Sequence, residues 1–531
     1  MADRAKVRMT SRRSAREIVR GSTRRIAGIT ATLTGRRKST RLTACLKRLP
    51  IDRFIRNVAV LAGGTLLSQI LIFAALPLLT RLYTPEEYGT FSMYVSMIGM
   101  LLMLVSFAYE YAITLPEDDR TASEIVRLCL LICVAVSLLV FAAMAVLRRP
   151  LGRWLNEPDL PNYFVLFAVS LLASGFYQIL STWAVRKQYF RRLSRTKYTQ
   201  SIGQIGGQLA FSLLHPGPVG LIAGDIAGRS GGLLPLWRQW RRDHAASQGT
   251  EQEVSQAGGL TPGRLAGQTA DSQAALTDSG TAAFMVFMQR RLGWSRLKEV
   301  AWRYRRFPQL SLASNVLNSI GIYLPTVLLA AFYGTSAAGL FALGQRILGA
   351  PMTLLVSAVR SVYLAESSAY MQTDPSRLVP LFRRTVLQML AAGAAILILF
   401  VGIAPFVFAP LFGEEWSGSA GYIRLMSVMY LGQFVANAVG TTIDVMERQD
   451  LHLLREIIRT VMILGAILGA RYSGQDAGTA VLLFSAASTA GYILHLVLSW
   501  WSIRKYGVLK AGPKSDESLP GPAEGLQGGG D

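Results

Sequence analysis

Two arginines fourteen residues apart in a largely apolar stretch, Arg346 and Arg360, are the residues of this 531-residue chain whose type and spacing most invite chemistry. An ionisable side chain within a membrane-length apolar segment costs at least about 2.5 kcal/mol on insertion scales, so it is a functional candidate by default. Fourteen residues make two heptads, about four helical turns, which points both side chains toward nearly the same face. A cationic stripe suits sequential contact with phosphate oxygens through the planar guanidinium fork. The same residues could instead pair with acids such as Glu366, and Arg360 could reach headgroups at the membrane surface.

Other polar groups in apolar surroundings carry two readings each. Gln69, Asn315, Asn318 and Gln345 can hydrogen-bond a sugar-like cargo or tie helices to one another. Asp225 and Arg229, four apart in "GDIAGR", are read as a pair on one helix face. Asp444 in "TTIDVMER" is read as an ion-coupling group or as a partner of Arg448, and Glu110 in "YEYAI" as a packing, gating or substrate-contact residue. The basic segments around Arg303, Arg305 and Arg306 and over 185–197 orient helices or first capture an anionic headgroup. No catalytic set emerges. His215, His244, His452 and His495 lack metal or triad spacing, and Cys129 and Cys133, four apart on an apolar helix, read as packing. The three cysteines give no disulfide framework, and no GxxxxGK[ST] stretch is present. Neither metal nor cofactor is expected, and the protein is expected not to be an enzyme.

The elements that must hold these residues are membrane helices. The chain is 51% hydrophobic and 16% charged, below the roughly 25% charged content of soluble domains. Candidate membrane-spanning apolar runs recur twelve times: 57–80, 89–114, 124–147, 162–184, 198–214, 217–236, 307–333, 338–365, 385–403, 420–445, 457–470 and 477–502, the fifth, sixth and eleventh being short or Gly-interrupted. They are continuous rather than alternating, which excludes barrel strands. A net charge of +23 might point to nucleic acid, but the basic residues crowd one side of the expected topology. With the N-terminus inside, inner segments hold 44 Lys and Arg and outer loops hold five. That asymmetry is the positive-inside pattern, so no nucleic-acid partner is expected and both termini are placed in the cytoplasm.

Organisation follows. Residues 1–53 read as a disordered basic cytoplasmic tail, 54–236 as a six-helix bundle, 237–300 as a cytoplasmic linker with a Gly-rich polar insertion over 243–280, 301–505 as a second six-helix bundle, and 506–531 as a disordered tail. The first and seventh spans leave through similar joins: Tyr83, five residues, Gly89; and Tyr333, five residues, Gly339. A Leu-Pro pair precedes each, Leu76-Pro77 and Leu324-Pro325. The expected fold is therefore an all-α polytopic membrane protein, twelve helices in two six-helix bundles related by a parallel pseudo-two-fold axis. In the first join, Thr84-Pro85 ends one helix while Glu86 and Glu87 favour the positive start of the next.

"LPLLTRLYTPEEYGTFSMYVSM", with the preceding "GGTLLSQIL", the following "YEYAITLP" and the later "YGTSAAGLFALGQRILGAP", resembles the signature of the polysaccharide-transport flippases, which include the O-antigen translocases. These belong to the superfamily of lipid II flippases and multidrug and toxin extrusion antiporters. The resemblance spans about residues 54–505. It implies alternating-access movement of an undecaprenyl-pyrophosphate-linked oligosaccharide across the cytoplasmic (inner) membrane. It also implies a cavity between two bundles whose lateral opening is lined by the first, second, seventh and eighth helices. Membrane lipids, a polysaccharide polymerase and chain-length machinery are the implied partners. A drug or cation antiporter of the same architecture, or a membrane glycan polymerase or ligase, are the alternatives; the former would favour buried acids in the N-terminal half, the latter a long catalytic outer loop.

Overall fold

The computed structural model describes residues 53–157, 163–214, 217–244, 294–305, 307–446 and 448–507. The expected basic tail apart from Arg53, the 243–280 insertion apart from its first two residues, and the expected C-terminal tail apart from Tyr506 and Gly507 lie outside the described residues. The twelve expected spans correspond to α1 Arg53–Leu82, α2 Pro85–Leu102, α3 Asp119–Trp154, α4 Phe164–Arg186, α5 Phe190–Leu214, α6 Pro218–Ser230, α7 Leu312–Tyr333, α8 Thr335–Thr373, α9 Leu378–Phe412, α10 Gly418–Ala438, α11 Gln449–Tyr472 and α12 Ala477–Ser502. No strand occurs among the described residues.

Helices α1 to α6 pack on one another as one half and α7 to α12 as the other, with α2 laid against α7 and α8 across the divide. Seven helices are long and apolar enough to cross a membrane on their own: α1, α3, α4, α7, α8, α9 and α12. The other five are α2, α5, α6, α10 and α11; α6 is only 13 residues long, and the rest carry many of the polar side chains of the interior.

Several limits differ from those expected. The span 89–114 is not one helix: α2 stops at Leu102, Phe107 and Ala108 take positive φ of 47° and 64°, and the chain resumes as a 3-10 turn over Tyr109–Thr114. Two successive left-handed residues break the i→i−4 ladder, a backbone event that hydropathy does not register. Helix α6 ends at Ser230, and after a turn at Gly231-Gly232 residues 233–244 are again helical, running into the segment expected as linker. Trp240, fully buried and stacked on His244 at 5.5 Å, explains why the chain stays ordered there. Helix α8 reaches from Thr335 to Thr373, about 58 Å at 1.5 Å per residue, so it overruns a hydrocarbon core of about 30 Å.

The hairpin turns are chemically specified. Thr84 caps α2 with a full capping box: its Oγ1 accepts from the Glu87 N–H at 3.2 Å, and Glu87 Oε2 accepts from the Thr84 N–H at 3.0 Å. Asp476 caps α12, and the bonds it accepts from the Thr479 hydroxyl and from the Gly478 and Thr479 amides hold its carboxyl below the usual carboxylate range.

At the hairpin end the halves touch backbone to backbone. A Cβ on Gly89 would overlap the Thr335 carbonyl oxygen and stand 3.0 Å from the Gly339 nitrogen; a Cβ on Gly339 would overlap the Pro85 carbonyl oxygen and stand 3.0 Å from the Gly89 nitrogen. The contact is reciprocal between equivalent positions of α2 and α8, as an axis passing between the two joins requires. Around it, Trp416 Nε1 donates to the Thr80 carbonyl at 2.9 Å, its ring meets Tyr88 edge-on at 5.5 Å, and Arg81 donates to the Pro410 carbonyl at 2.8 Å. Together these close that end of the molecule. A methyl group at Gly89 or Gly339 should weaken the closure by about 1–3 kcal/mol. With Cys45, Cys129 and Cys133 replaced by serine, the test is labelling of a Ser92→Cys thiol by an impermeant maleimide added on the hairpin side. Gly89→Ala is expected to speed it at least about fivefold; an unchanged rate would show that the glycine contact does not seal the cavity.

Candidate functional site

Beyond the closed end lies a cavity of about 400 Å³ between the halves. Helix α2 supplies Tyr88, Ser92 and Ser96, α8 supplies Gln345 and Arg346, and α11 supplies Arg459. Arg346 lies about 16 Å along α8 from Thr335 at 1.5 Å per residue, which puts it near the middle of a membrane-length helix. Its Nη1 donates across the divide to the Tyr88 hydroxyl at 3.2 Å, so one guanidinium reads both halves. Gln345 lines the same space, and its backbone carbonyl accepts from Tyr430 Oη at 3.2 Å.

Two further cavities adjoin this one. In the C-terminal half a space of about 670 Å³ takes in Asn315, Asn318, Arg360 and Asp444, and shares Gln433, Arg459 and Tyr492 with the central cavity. In the N-terminal half a space of about 480 Å³ takes in Gln69, Asp225 and Arg229, and shares Gln204 and Asp225 with the central cavity. The two arginines expected on one stripe thus face two adjoining chambers. Arg360, about 38 Å along α8, stands about two-thirds of the way along the helix. Neither Arg346 nor Arg360 has an ion pair with Glu366 or any other acid among the described residues.

The remaining expected residues fall as follows. Asp225 and Arg229 form an ion pair one helical turn apart, and Arg229 Nη1 also donates to Ser174 Oγ at 2.8 Å. Asn318 Oδ1 accepts from Arg459 at 3.2 Å, and Asn315 Nδ2 donates to Tyr111 Oη across the divide at 3.4 Å. Glu110 lies in the 3-10 turn, buried, accepting from Gln178 Nε2 at 2.9 Å, and borders none of the three cavities. The expected Asp444–Arg448 pair is corrected: Arg448 pairs with Asp450 at 2.6 Å, while Asp444 faces the C-terminal chamber. The break after α10 is the reason, since Asp444 sits on its own turn of helix, Thr442–Val445, and Arg448 precedes the next helix rather than following on the same one.

The most consequential group is one that the sequence reading passed over. On α11, Glu456 is 1% exposed in its side chain and pairs with both Arg455 and Arg459, the latter at 2.7 Å. Arg455 Nη1 further donates to His495 Nδ1 at 2.6 Å and Nη2 to His452 Nε2 at 3.3 Å, and His495 is buried. Two guanidiniums on one carboxylate leave an excess positive charge, and Arg459 delivers it to the wall shared by two cavities. The signal was present: Arg459 lies inside the expected span 457–470, and Glu456 borders it. Among the described residues no His, Cys, Asp or Glu cluster is placed to hold a metal ion, and Cys129 and Cys133 are buried free thiols. Removing the shared carboxylate would leave two buried cations uncompensated, at a cost of about 3–5 kcal/mol. Glu456→Gln is therefore expected to lower the melting temperature of the purified protein strongly and Glu456→Asp only slightly; equal melting for wild type and Glu456→Gln would show that the pair does not hold the cluster.

The family described as polysaccharide biosynthesis protein matches residues 54–214, and a second family of the same description matches 276–421; between them they cover more than half of the chain. No curated protein sequence matches. An inward-facing multidrug resistance MATE family transporter of the MOP superfamily is similar in fold, with a TM-score of 0.55 at 14% identity over 86% of this chain and 96% of that one. The lipid II flippase MurJ in an inward closed conformation is similar with a TM-score of 0.57 at 11% identity over 85% of this chain and 90% of that one. Identities this low speak for the fold alone. The chain is a multi-pass membrane protein with the twelve-helix fold of these transporters, and two stretches of it match the families described as polysaccharide biosynthesis protein.

Proposed function

We propose that the protein flips an undecaprenyl-pyrophosphate-linked oligosaccharide across the cytoplasmic (inner) membrane by alternating access, supplying O-antigen, capsule or exopolysaccharide synthesis. One observation carries the reading: the cavity enclosed by the two halves, shut at the hairpin end, presents the guanidiniums of Arg346 and Arg459 to one space. A pyrophosphate needs cationic forks that replace water around its oxygens, and two arginines within reach of hydroxyls and amides supply them. The polyprenyl tail needs no site, because it can remain in lipid while the headgroup moves. No covalent bond is made or broken in this process.

Orientation follows from the charge bias. Both termini lie in the cytoplasm, the hairpin end faces outward, and the cargo enters from the inner leaflet among membrane lipids. A polysaccharide polymerase and chain-length machinery would take the product on the outer side.

The rival reading, a drug or cation antiporter, draws support from Asp225, an acid of the N-terminal half that lines the central cavity. That carboxylate is already held by Arg229, so a cationic cargo would have to displace an internal partner. Deleting the gene should make lipid-linked oligosaccharide build up on the inner leaflet. Wild type should relieve the build-up, and Arg346→Ala, at equal abundance in the membrane, should lower export at least about tenfold through loss of a charge-assisted bidentate contact. Normal arrival of the oligosaccharide outside in the deletion strain would overturn the flippase reading.

A further inference from the structure

The chamber of the N-terminal half differs in chemistry from the spaces it adjoins. Its charges are answered from within: Asp225 is paired with Arg229, and the Lys197 ammonium lies 5.1 Å from the centroid of the Tyr177 ring. What remains facing the space is amide and hydroxyl. Gln69, on α1, makes no hydrogen bond among the described residues, so both ends of its amide are available. Gln178 and Gln200 are held only by their nitrogens, through Glu110 at 2.9 Å and the Arg229 carbonyl at 3.3 Å, which leaves two oriented acceptor oxygens. Gln204 stands one turn beyond Gln200 on the same face of α5 and marks the passage into the central cavity. The C-terminal chamber, by contrast, is bordered by three guanidiniums, Arg360, Arg455 and Arg459, against two carboxylates, Asp444 and Glu456.

A row of amides in a membrane helix is costly unless it meets polar partners. We infer that this chamber is a subsite for the uncharged part of the cargo. The sugars nearest the pyrophosphate enter it and are recognised by amide and hydroxyl groups matched to sugar hydroxyls, while the charged group stays with Arg346 and Arg459. The inference rests on the flippase reading and adds to it a division of labour: the N-terminal half selects the glycan and the C-terminal half holds the phosphates.

The test uses the purified full chain in a detergent without sugar, titrated calorimetrically with two probes. One is the glycan released by mild acid from the host's lipid-linked oligosaccharide pool; the other is farnesyl pyrophosphate. Wild type should bind both. The Gln69→Ala/Gln200→Ala pair should bind the glycan about tenfold more weakly and farnesyl pyrophosphate unchanged, and Arg346→Ala should show the opposite pattern. Gln69→Glu alone, which keeps the size and removes the donors, should weaken the glycan about threefold. Unchanged glycan affinity in the glutamine variants, equal loss of both probes, or a wild type that binds farnesyl pyrophosphate but no glycan would overturn this inference while sparing the flippase reading. A wild type that binds neither probe would overturn both.

Discussion

The central cavity is closed at the hairpin end because two glycines let two helices meet with nothing between their backbones. At Gly89 and Gly339 the α2 and α8 chains approach so closely that a single methyl group on either would occupy a carbonyl oxygen of the other. Small residues at a helix crossing are the usual means of association in lipid, where no hydrophobic force drives apolar surfaces together. Here the contact lies at the divide between halves, and it is reciprocal. Trp416 and Arg81, bound to main-chain carbonyls on the other half, add closure that can be released one hydrogen bond at a time.

Behind this closure the interior is polar, and its polarity is concentrated on the helices least able to cross a membrane alone. Helices α2, α5, α10 and α11, with the short α6, line the three adjoining cavities. The cost is met locally. Asp225 answers Arg229, and Glu456 answers Arg455 and Arg459, so the net positive charge left over is placed where two chambers share a wall. An internal ion pair also orients a guanidinium: Arg459, fixed by Glu456 and Asn318, has little freedom to turn away from the space it borders.

The hairpins, the six-and-six division and the position of Arg346 inside a membrane-length helix were legible in the sequence because each depends on local signals: a Pro-Glu-Glu start, a repeated Tyr-x5-Gly spacing, a charge amid apolar residues. What escaped depends on the backbone or on tertiary contacts. The left-handed pair Phe107-Ala108 has no hydropathy signature, and the Arg448–Asp450 pairing follows from a helix break that composition does not reveal. The Arg455–Glu456–Arg459 group was visible as letters, but its role appears only when α12 brings His495 and Tyr492 alongside. The amides of α5 share a chamber with Gln69 of α1, a juxtaposition that only tertiary packing sets.

The central claim is that cargo crosses only if the glycine-sealed end opens. Glu86 and Ser336 border a common surface cleft beside that seal, so cysteines placed there, in a chain without other cysteines, can be bridged by a bifunctional thiol reagent. The decisive measurement is the flipping of lipid-linked oligosaccharide in reconstituted vesicles before bridging, after it, and after cleavage of a reducible bridge. Flipping that stops on bridging and returns on cleavage is the result the account predicts. Flipping that continues at the unbridged rate would contradict it, since the cargo would then be crossing by a path that never passes the seal.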